Sequence, residues 1–277
     1  MNNNELQTEM DELEQLEIQL FLQGIYEWYG YDFRDYAYNS IRRRIWHRVY
    51  EERLNSILGL MEKTLRDSEC LKRLLLDFSI NVTEMFRDPS FFLAIREKII
   101  PHLRTYPSLR IWHAGCATGE EVYSMAILLQ EEGLYDKAKI YATDINEKAL
   151  GIARRGQYPL EVMKKYTNNY LKAGGAHAFS EYYSVSGNVA KFDSSLSKNI
   201  IFAEHNLVTD QSFNEFHLIL CRNVMIYFNK TLKEKVYQLF HESLTPFGFL
   251  CLGDKESIMS KEYYQAISSA QKIYQKH

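Results

Sequence analysis

The sequence has few of the residues that cross-link or interrupt a fold, and it has no long apolar run. Its four cysteines, Cys70, Cys116, Cys221 and Cys251, are scattered and form no CxxC pair. We therefore expect neither a disulfide framework nor a metal site, and reduced thiols favour a cytoplasmic protein. No segment approaches the roughly 18 apolar residues of a membrane-spanning helix. The acidic stretch 1–20 has no apolar segment of the kind that a secretory signal contains.

Prolines are also few, and neither sign of charge is in large excess. Five prolines and 13 glycines in 277 residues argue against long flexible linkers. The formal net charge is -3, so bulk electrostatics give no reason to expect a nucleic-acid partner. Hydrophobic residues make up 46% and charged residues 25%, which is ordinary for a globular protein with one large domain or one domain and a small companion.

The chain divides into two parts with different sequence patterns. Residues 1–78 carry no proline, and their leucines and isoleucines recur at helical spacing, which predicts a small all-helical domain. Residues 109–277 alternate short apolar runs with helical stretches, which predicts an α/β fold with a doubly wound, mostly parallel sheet. The predicted strands are Leu109–Ala114, Ile140–Thr143, Ile200–Ala203, Phe216–Leu220, Phe247–Leu252 and one near Lys272–Gln275, with helices at Glu120–Glu132, Glu147–Arg154 and Lys230–Leu244.

Two further segments are described separately from these two patterns. Residues 79–108 join the two parts and include a predicted helix from Pro89 to Leu103, which Asp88 is placed to cap. Residues 170–198 hold several glycines and a short alternating run. We interpret this stretch as an inserted loop or a small antiparallel hairpin.

A glycine-bearing turn follows the first predicted strand. The run Gly115–Glu121 has the spacing GxxxG and is followed by a helix, and such a strand–turn–helix unit is typical of dinucleotide or adenosyl sites. Two acids, Glu120 and Glu121, stand where a pyrophosphate would need an uncovered helix N-terminus. They favour the cationic S-adenosylmethionine over NAD, although the acids alone also fit a role at the positive end of the helix dipole.

Polar residues end three later strands. Asp144 follows the glycine turn by about 25 residues, a position from which a carboxylate accepts hydrogen bonds from ribose hydroxyls. The alternative is an N-cap for the helix near Asn146. Asn206 and Asn223 follow two further strands, where their amides suit adenine edges or the amino-acid part of the cofactor. Turn asparagines that close strands are the alternative.

The combination of these segments resembles the CheR-type glutamate methyltransferases that act on chemoreceptors. The matching segments appear in the family's order, and the resemblance covers about residues 30–254. They are 81–88 (NVTEMFRD), 115–124 (GCATGEEVYS), 142–145 (ATDI), 205–207 (HNL) and 221–228 (CRNVMIYF).

The resemblance implies a helical N-terminal domain and a Rossmann-like methyltransferase domain with a small inserted β-subdomain. It also implies a set of site residues. The implied cofactor contacts are Asn81, Thr83, Arg87 (near the cofactor carboxylate), Gly115, Glu120, Asp144, Asn206, Leu207, Arg222 and Asn223, with Tyr227 facing the transferring methyl group. The expected product is S-adenosylhomocysteine, and no metal is expected.

The implied chemistry needs no general base. A free glutamate has a pKa of about 4.3 and is already ionised near neutral pH, so catalysis would come from positioning and from limiting water. Tyr227 is expected to orient that carboxylate, and core packing is the alternative for its ring. Competing functions are a methyltransferase for RNA or a small molecule, and a non-catalytic signalling module that binds S-adenosylmethionine.

A run of arginines suggests where a protein partner binds. Arg42, Arg43, Arg44 and Arg48 lie on one predicted helix, and a basic helix face suits the acidic, glutamate-bearing helices of a receptor. A solvated face paired with Glu51 and Glu52 is the plainer alternative. A nucleic-acid surface is the third option, which the overall acidity disfavours.

Overall fold

The chain forms two compact units. The computed structural model describes residues 3–79, 83–258 and 262–277. One unit contains the chain up to residue 80 together with 227–233, and the other contains 81–226 and 234–277. Within the described residues, no helix combines the length and the hydropathy that crossing a bilayer requires.

The first unit is helical, as the sequence predicts. Its helices are α1 (Asn3–Tyr29), α2 (Tyr38–Glu51), α3 (Ile57–Arg66) and α4 (Ser68–Phe78). Side chains define two of the helix starts, because Ser56 accepts from the Gly59 N–H at 3.0 Å and Asp67 accepts from the Glu69 N–H at 2.9 Å. The segment 227–233 belongs to this unit through backbone contacts, among them Ala37 N–H to the Tyr227 carbonyl at 2.8 Å.

The second unit is built on a seven-stranded sheet. The strands of this unit's described part are β1 (Leu109–Ala114), β2 (Ala138–Asp144), β3 (Gln157–Pro159), β4 (Tyr183–Ser186), β5 (Val189–Phe192), β6 (Ile200–Glu204), β7 (Phe216–Cys221), β8 (Leu244–Leu252), β9 (Tyr264–Ser268) and β10 (Ile273–Lys276). The main sheet has the order β6-β2-β1-β7-β8-β10-β9. It is parallel from β6 to β8, and β10 and β9 add antiparallel to its end.

Further helices complete this unit. They are α5 (Pro89–Ala94), α6 (Ile100–Leu103), α7 (Glu120–Glu131), α8 (Glu147–Arg155), α9 (Met163–Lys172) and α10 (Lys230–Ser243), whose first turn belongs to the first unit. The central strands read as nearly continuous apolar runs because both faces of the sheet are buried. On β1, Ile111 and Trp112 are fully buried, and the indole N–H donates to Thr143 Oγ1 at 2.9 Å. The prediction of an α/β fold with a doubly wound, mostly parallel sheet is confirmed.

The connecting helix differs from its prediction. The chain from Pro89 to Leu103 is not one α-helix, since a π-helical turn at Ile95–Ile99 separates α5 from α6. Pro101 lies in the first turn of α6, and proline has no N–H and crowds the carbonyl four residues earlier, which favours such an interruption. The capping role expected of Asp88 is wrong. Its backbone is left-handed and its side chain caps nothing, because the carboxylate binds Arg222 at 2.6 Å.

A small antiparallel sheet supplies the predicted inserted β-subdomain. Its order is β3-β5-β4. The predicted hairpin is present as β4 and β5, which turn at Gly187 with φ +57°. Strand β3 pairs with the other edge of β5 from a position before residue 170, so the small sheet draws on more of the chain than the glycine-rich stretch alone.

Candidate functional site

The glycine turn wraps around the carboxyl end of β2. The N–H groups of Gly115 and Cys116 both donate to the Thr143 carbonyl, at 2.8 and 2.9 Å, and the Ala117 N–H donates to Asp144 Oδ2 at 2.8 Å. Sequence reasoning placed Gly115 and Asp144 in one crevice because the carboxyl ends of parallel strands share an edge. These hydrogen bonds bring the two together directly.

Two positions in this turn require glycine. A Cβ added to Gly115, which has φ +78°, would lie 2.5 Å from Val224 Cγ2 in the turn after β7. A Cβ on Gly119, with φ +92°, would lie 2.7 Å from Ala153 Cβ on α8. Contacts this short leave no room for a side chain, and the left-handed backbone favours glycine independently. The turn is therefore fixed closely against its two neighbours.

Asp144 has both carboxylate oxygens engaged by backbone amides. Besides the Ala117 contact, Oδ1 accepts from the Asn146 N–H at 2.9 Å. The side chain is buried, and burial raises the pKa of Asp144 while these amides act to lower it. The helix cap belongs to Asn146, whose Oδ1 accepts from the Lys148 and Ala149 N–H groups at 3.0 and 3.2 Å. Asp144 thus orders the loop rather than capping α8.

The two acids at the start of α7 have opposite environments. Glu120 is 6% exposed and accepts from the Thr118 hydroxyl at 2.6 Å, and burial raises its pKa to about 7. Glu121 is half-buried, and its partial burial acts to raise its pKa. The charge of Arg222 and the nearby His113 outweigh this burial, so that the pKa of Glu121 falls to about 2. At neutral pH Glu121 is therefore a carboxylate, and Glu120 is close to its titration midpoint.

Arg222 is held by acids of its own unit. Its guanidinium donates to Glu121 Oε2 at 2.7 Å and to Asp88 Oδ2 at 2.6 Å, and its Cζ lies 3.9 Å from the centre of the Phe91 ring. It also donates weakly to the Arg87 carbonyl at 3.4 Å. These contacts tie the turn after β7 to α7 and to the segment before α5, so that Arg222 joins the walls of the crevice.

The remaining predicted cofactor residues lie in turns at the ends of other segments. Asn206 follows β6, whose end is tied to β2 by the His205 N–H and the Asp144 carbonyl at 3.2 Å. Its Oδ1 accepts from the Val208 N–H at 3.0 Å, and Leu207 beside it is half-buried. Asn223 has a left-handed backbone, with φ +61°. Thr83 and Arg87 are half-buried, and Asn81 lies outside the described residues.

Three polar residues near this site were not predicted from the sequence as part of it, and two of them are buried. His113 and Glu256 are 1% and 5% exposed, and the Asp88 carboxylate pairs with Arg222. The Asp88–Arg222 pair joins residues 134 positions apart, and Glu256 accepts from the N–H of a residue 33 positions earlier. No local pattern marks such pairs, because they arise from the order of the strands.

Tyr227 and the arginines belong to the first unit. The guanidinium of Arg44 lies over the Tyr227 ring, with Cζ 4.6 Å from its centre. Arg44 is only 4% exposed and donates through Nη1 to the Phe78 carbonyl, while its Nε and Nη2 have no hydrogen-bond partner among the described residues. The structure thus separates Arg44 from the other three arginines, which are not buried.

Ion pairs occupy two of those three. Arg42 pairs with Glu14 at 2.6 Å, and Arg48 pairs with Asp77 at 2.6 Å and Glu52 at 3.3 Å. Arg43 is exposed and forms no ion pair within the described residues. The plainer alternative, a solvated and paired face, therefore describes Arg42 and Arg48, and Arg43 is the cation that α2 leaves open to a partner.

Two family models together match most of the chain. The all-alpha domain of the CheR methyltransferases matches residues 16–79, and the S-adenosylmethionine-binding domain of the same family matches residues 81–273. The chain belongs to the CheR methyltransferase family. The resemblance that its motifs carry is thereby confirmed, and its second unit corresponds to the family's S-adenosylmethionine-binding domain.

Individual relatives agree with this family. A Pseudomonas putida protein named as a methyltransferase, Cher3, is 48% identical over 264 residues, which is 94% of this chain and 97% of that protein. The chemotaxis protein methyltransferase of Listeria monocytogenes is 30% identical over 237 residues and covers 85% and 87% of the two chains. Among solved structures, the StiE O-methyltransferase domain is 14% identical, with a TM-score of 0.37, over 67% of this chain and 47% of that one.

Proposed function

We propose that this protein transfers a methyl group from S-adenosylmethionine to glutamate side chains of a chemoreceptor-like protein, in the cytoplasm. The products would be glutamate methyl esters and S-adenosylhomocysteine. The observation that carries the proposal is the crevice at the ends of β1 and β2, where the glycine turn is hydrogen-bonded to the buried Asp144 carboxylate.

The residues of this crevice fit such a cofactor. Gly115 lets the turn pack directly against Val224, so the backbone at the ends of the strands is held in one conformation. Asp144 offers carboxylate oxygens for ribose hydroxyls, and Glu120 offers a buried carboxyl for a cationic group. When bound, the cofactor supplies an electrophilic methyl group on a sulfonium. The acidic residues suit that positive charge better than they suit a phosphate.

The protein's own contribution is to bind and orient. The attacking glutamate of the substrate is ionised near neutral pH, so no group in the site has to remove a proton. We propose that the Tyr227 hydroxyl donates a hydrogen bond to that carboxylate and aligns one of its oxygens with the methyl carbon. Effective alignment and exclusion of water supply most of the rate in such displacements.

We propose that α2 recognises the substrate. A receptor helix that carries modifiable glutamates is acidic, and Arg43 is the exposed arginine of α2 that pairs with no acid of the described residues. Complementary charge speeds encounter and selects partners more than it adds affinity. This assigns Arg43 to docking, while Arg42 and Arg48 hold α2 to its neighbours.

Transfer of tritium from methyl-labelled cofactor to purified receptor tests the proposal. We expect protein-bound label that is released as methanol in mild alkali, as an ester requires. Tyr227→Phe, which keeps the ring but removes the hydroxyl, should lower the rate without changing the affinity for S-adenosylhomocysteine. Alkali-stable label, label on RNA or a small molecule, or cofactor binding with no transfer would each exclude glutamate esterification.

A further inference from the structure

Glu256 is a buried carboxyl group for which the proposed reaction has no direct use. It lies shortly after the end of β8 and is 5% exposed. Burial raises its pKa, and backbone amides of Gly253, Asn223, Met225 and Ile226 act in the opposite direction. A carboxyl group is costly to bury unless its hydrogen bonds stabilise a particular arrangement, so its contacts indicate what it organises.

The contacts of Glu256 converge on the turn after β7. Its Oε2 accepts from the Asn223 N–H at 2.9 Å and from the Gly253 N–H at 2.6 Å. The other oxygen, Oε1, is buried and has no hydrogen-bond partner among the described residues. Because β7 and β8 are parallel neighbours with Cys221 opposite Leu252, a carboxyl group just past β8 reaches the turn that follows β7.

This turn needs an acceptor from outside itself. Asn223 has φ +61°, and a 3-10 turn follows at Met225–Tyr227. The first N–H groups of a helical turn have no partner within it and must be satisfied elsewhere. Gly253 leaves the required space, since a Cβ there would lie 2.7 Å from the Asn223 nitrogen and 2.8 Å from Glu256 Oε2.

The same turn determines the packing of the crevice. It carries Val224, whose Cγ2 would lie 2.5 Å from a Cβ at Gly115. It also carries Asn223 and ends one residue before Tyr227 in the chain. We propose that Glu256 is a positioning residue for methyl transfer, which fixes the turn 222–226 against the Gly115 turn. This inference rests on the proposed function, because it assigns Glu256 a role in that reaction.

Three variants of the full chain test the inference. Glu256→Ala removes the acceptor, and we expect kcat/KM for methyl transfer to fall about 100-fold, the loss that a misplacement of about 1 Å causes. Amide exchange at Asn223 should accelerate while the rest of the sheet stays protected. Glu256→Gln keeps an oxygen for Asn223 and Gly253 and should recover most of the activity. Asp254→Ala removes an exposed carboxylate from the same loop and should behave as wild type.

Gly253→Ala provides a second check, because its Cβ would push the Asn223 turn and the Glu256 carboxylate apart without removing that carboxylate. It should reproduce the loss in kcat/KM. Full activity in Glu256→Ala, equal losses in Asp254→Ala, or loss of protection throughout the sheet would overturn the positioning role. Failure of the proposed function looks different. Wild type would then bind no S-adenosylhomocysteine or form no ester, and amide exchange at Asn223 would still report whether Glu256 holds the turn.

Discussion

At the scale of single residues, the Asp144 carboxylate holds the glycine turn at the end of β2. Asp144→Ala removes the acceptor of the Ala117 and Asn146 N–H groups as well as the proposed ribose contact. We expect calorimetry to show micromolar binding of S-adenosylhomocysteine to wild type and at least about tenfold weaker binding to the variant, since a lost charged hydrogen bond is worth roughly 1.5–3 kcal/mol. Unchanged affinity would remove Asp144 from the cofactor site.

We predict that Glu120 makes cofactor binding depend on pH. Burial raises its pKa to about 7, above the usual value of 4.5 for a glutamate side chain. The folded state therefore binds a proton more tightly than the unfolded state. This stabilisation is full below about pH 4.5 and is lost as the pH rises through 7. A cationic ligand group beside Glu120 would favour the ionised form, so binding near pH 6.5 should release a proton.

Calorimetry in buffers of different ionisation enthalpy measures that proton. Glu120→Gln should abolish the release and flatten the pH dependence of stability between pH 5 and 8. If the proton is released equally by this variant, another group titrates on binding and Glu120 does not contact the cationic part of the cofactor.

At the scale of elements, two left-handed glycines, one before α7 and one after it, offer a matched pair. Gly115 and Gly133 have φ of +78° and +67°, but only Gly115 would place a Cβ against another element. Gly133→Ala should therefore cost only the backbone strain, about 1 kcal/mol. Gly115→Ala should cost more in urea unfolding and should also weaken S-adenosylhomocysteine binding. Equal losses in the two variants would show that strain, not contact with Val224, requires glycine at 115.

Helix α2 shows which part of the sequence prediction succeeded and which part failed. A run of four arginines predicted one basic surface, but helical periodicity places Arg44 on the same face as the buried Ile41 and Ile45. The spacing of the apolar residues alone would have placed Arg44 on the buried face, but the prediction rested on the number of arginines. The pairing of Arg42 with Glu14 joins residues 28 positions apart, which no local pattern reveals.

A charge reversal separates docking from structure on α2. Arg43→Glu should raise the KM for the receptor roughly tenfold, and more at low salt, because it reverses an electrostatic attraction. Its affinity for S-adenosylhomocysteine should not change. Arg66→Glu makes the same change in net charge at an exposed site on α3 and is the control. If both variants raise KM equally, overall charge rather than Arg43 governs the encounter.

At the scale of the whole molecule, the sheet and the edge proposed for the cofactor were predictable from the sequence. The long-range contacts of the acidic residues were not. Strand β1 has the predicted bounds, and Asp144 ends β2, because apolar runs and strand-end polar residues are local signals. The edge strand β9 was missed since it is largely exposed and carries no continuous apolar run. Glu121 meets Arg222 only once β1 and β7 lie side by side, and Glu256 meets Asn223 only once β7 and β8 do.

Two glutamates with lowered pKa values predict how the stability of the molecule responds to acid. Each unit contains a carboxylate whose pKa is lowered to about 2. Hydrogen bonds from Arg73 and Lys63 lower that of Glu52 in the first unit, and Arg222 and His113 outweigh burial at Glu121 in the second. A lowered pKa gives stability that is present above the unfolded value near 4.5 and is lost as the pH falls towards 2. For Glu121 this amounts to about 3 kcal/mol.

Urea unfolding at pH 7 and pH 3, followed by hydrogen exchange in each unit, measures these contributions. Glu121→Gln should destabilise the second unit at pH 7 and make it less sensitive to acid, while the first unit keeps its wild-type response. Glu52→Gln should do the reverse. The two effects should add in the double variant because the residues share no partner. If a single variant removed the acid sensitivity of both units, the molecule would instead unfold as one cooperative body.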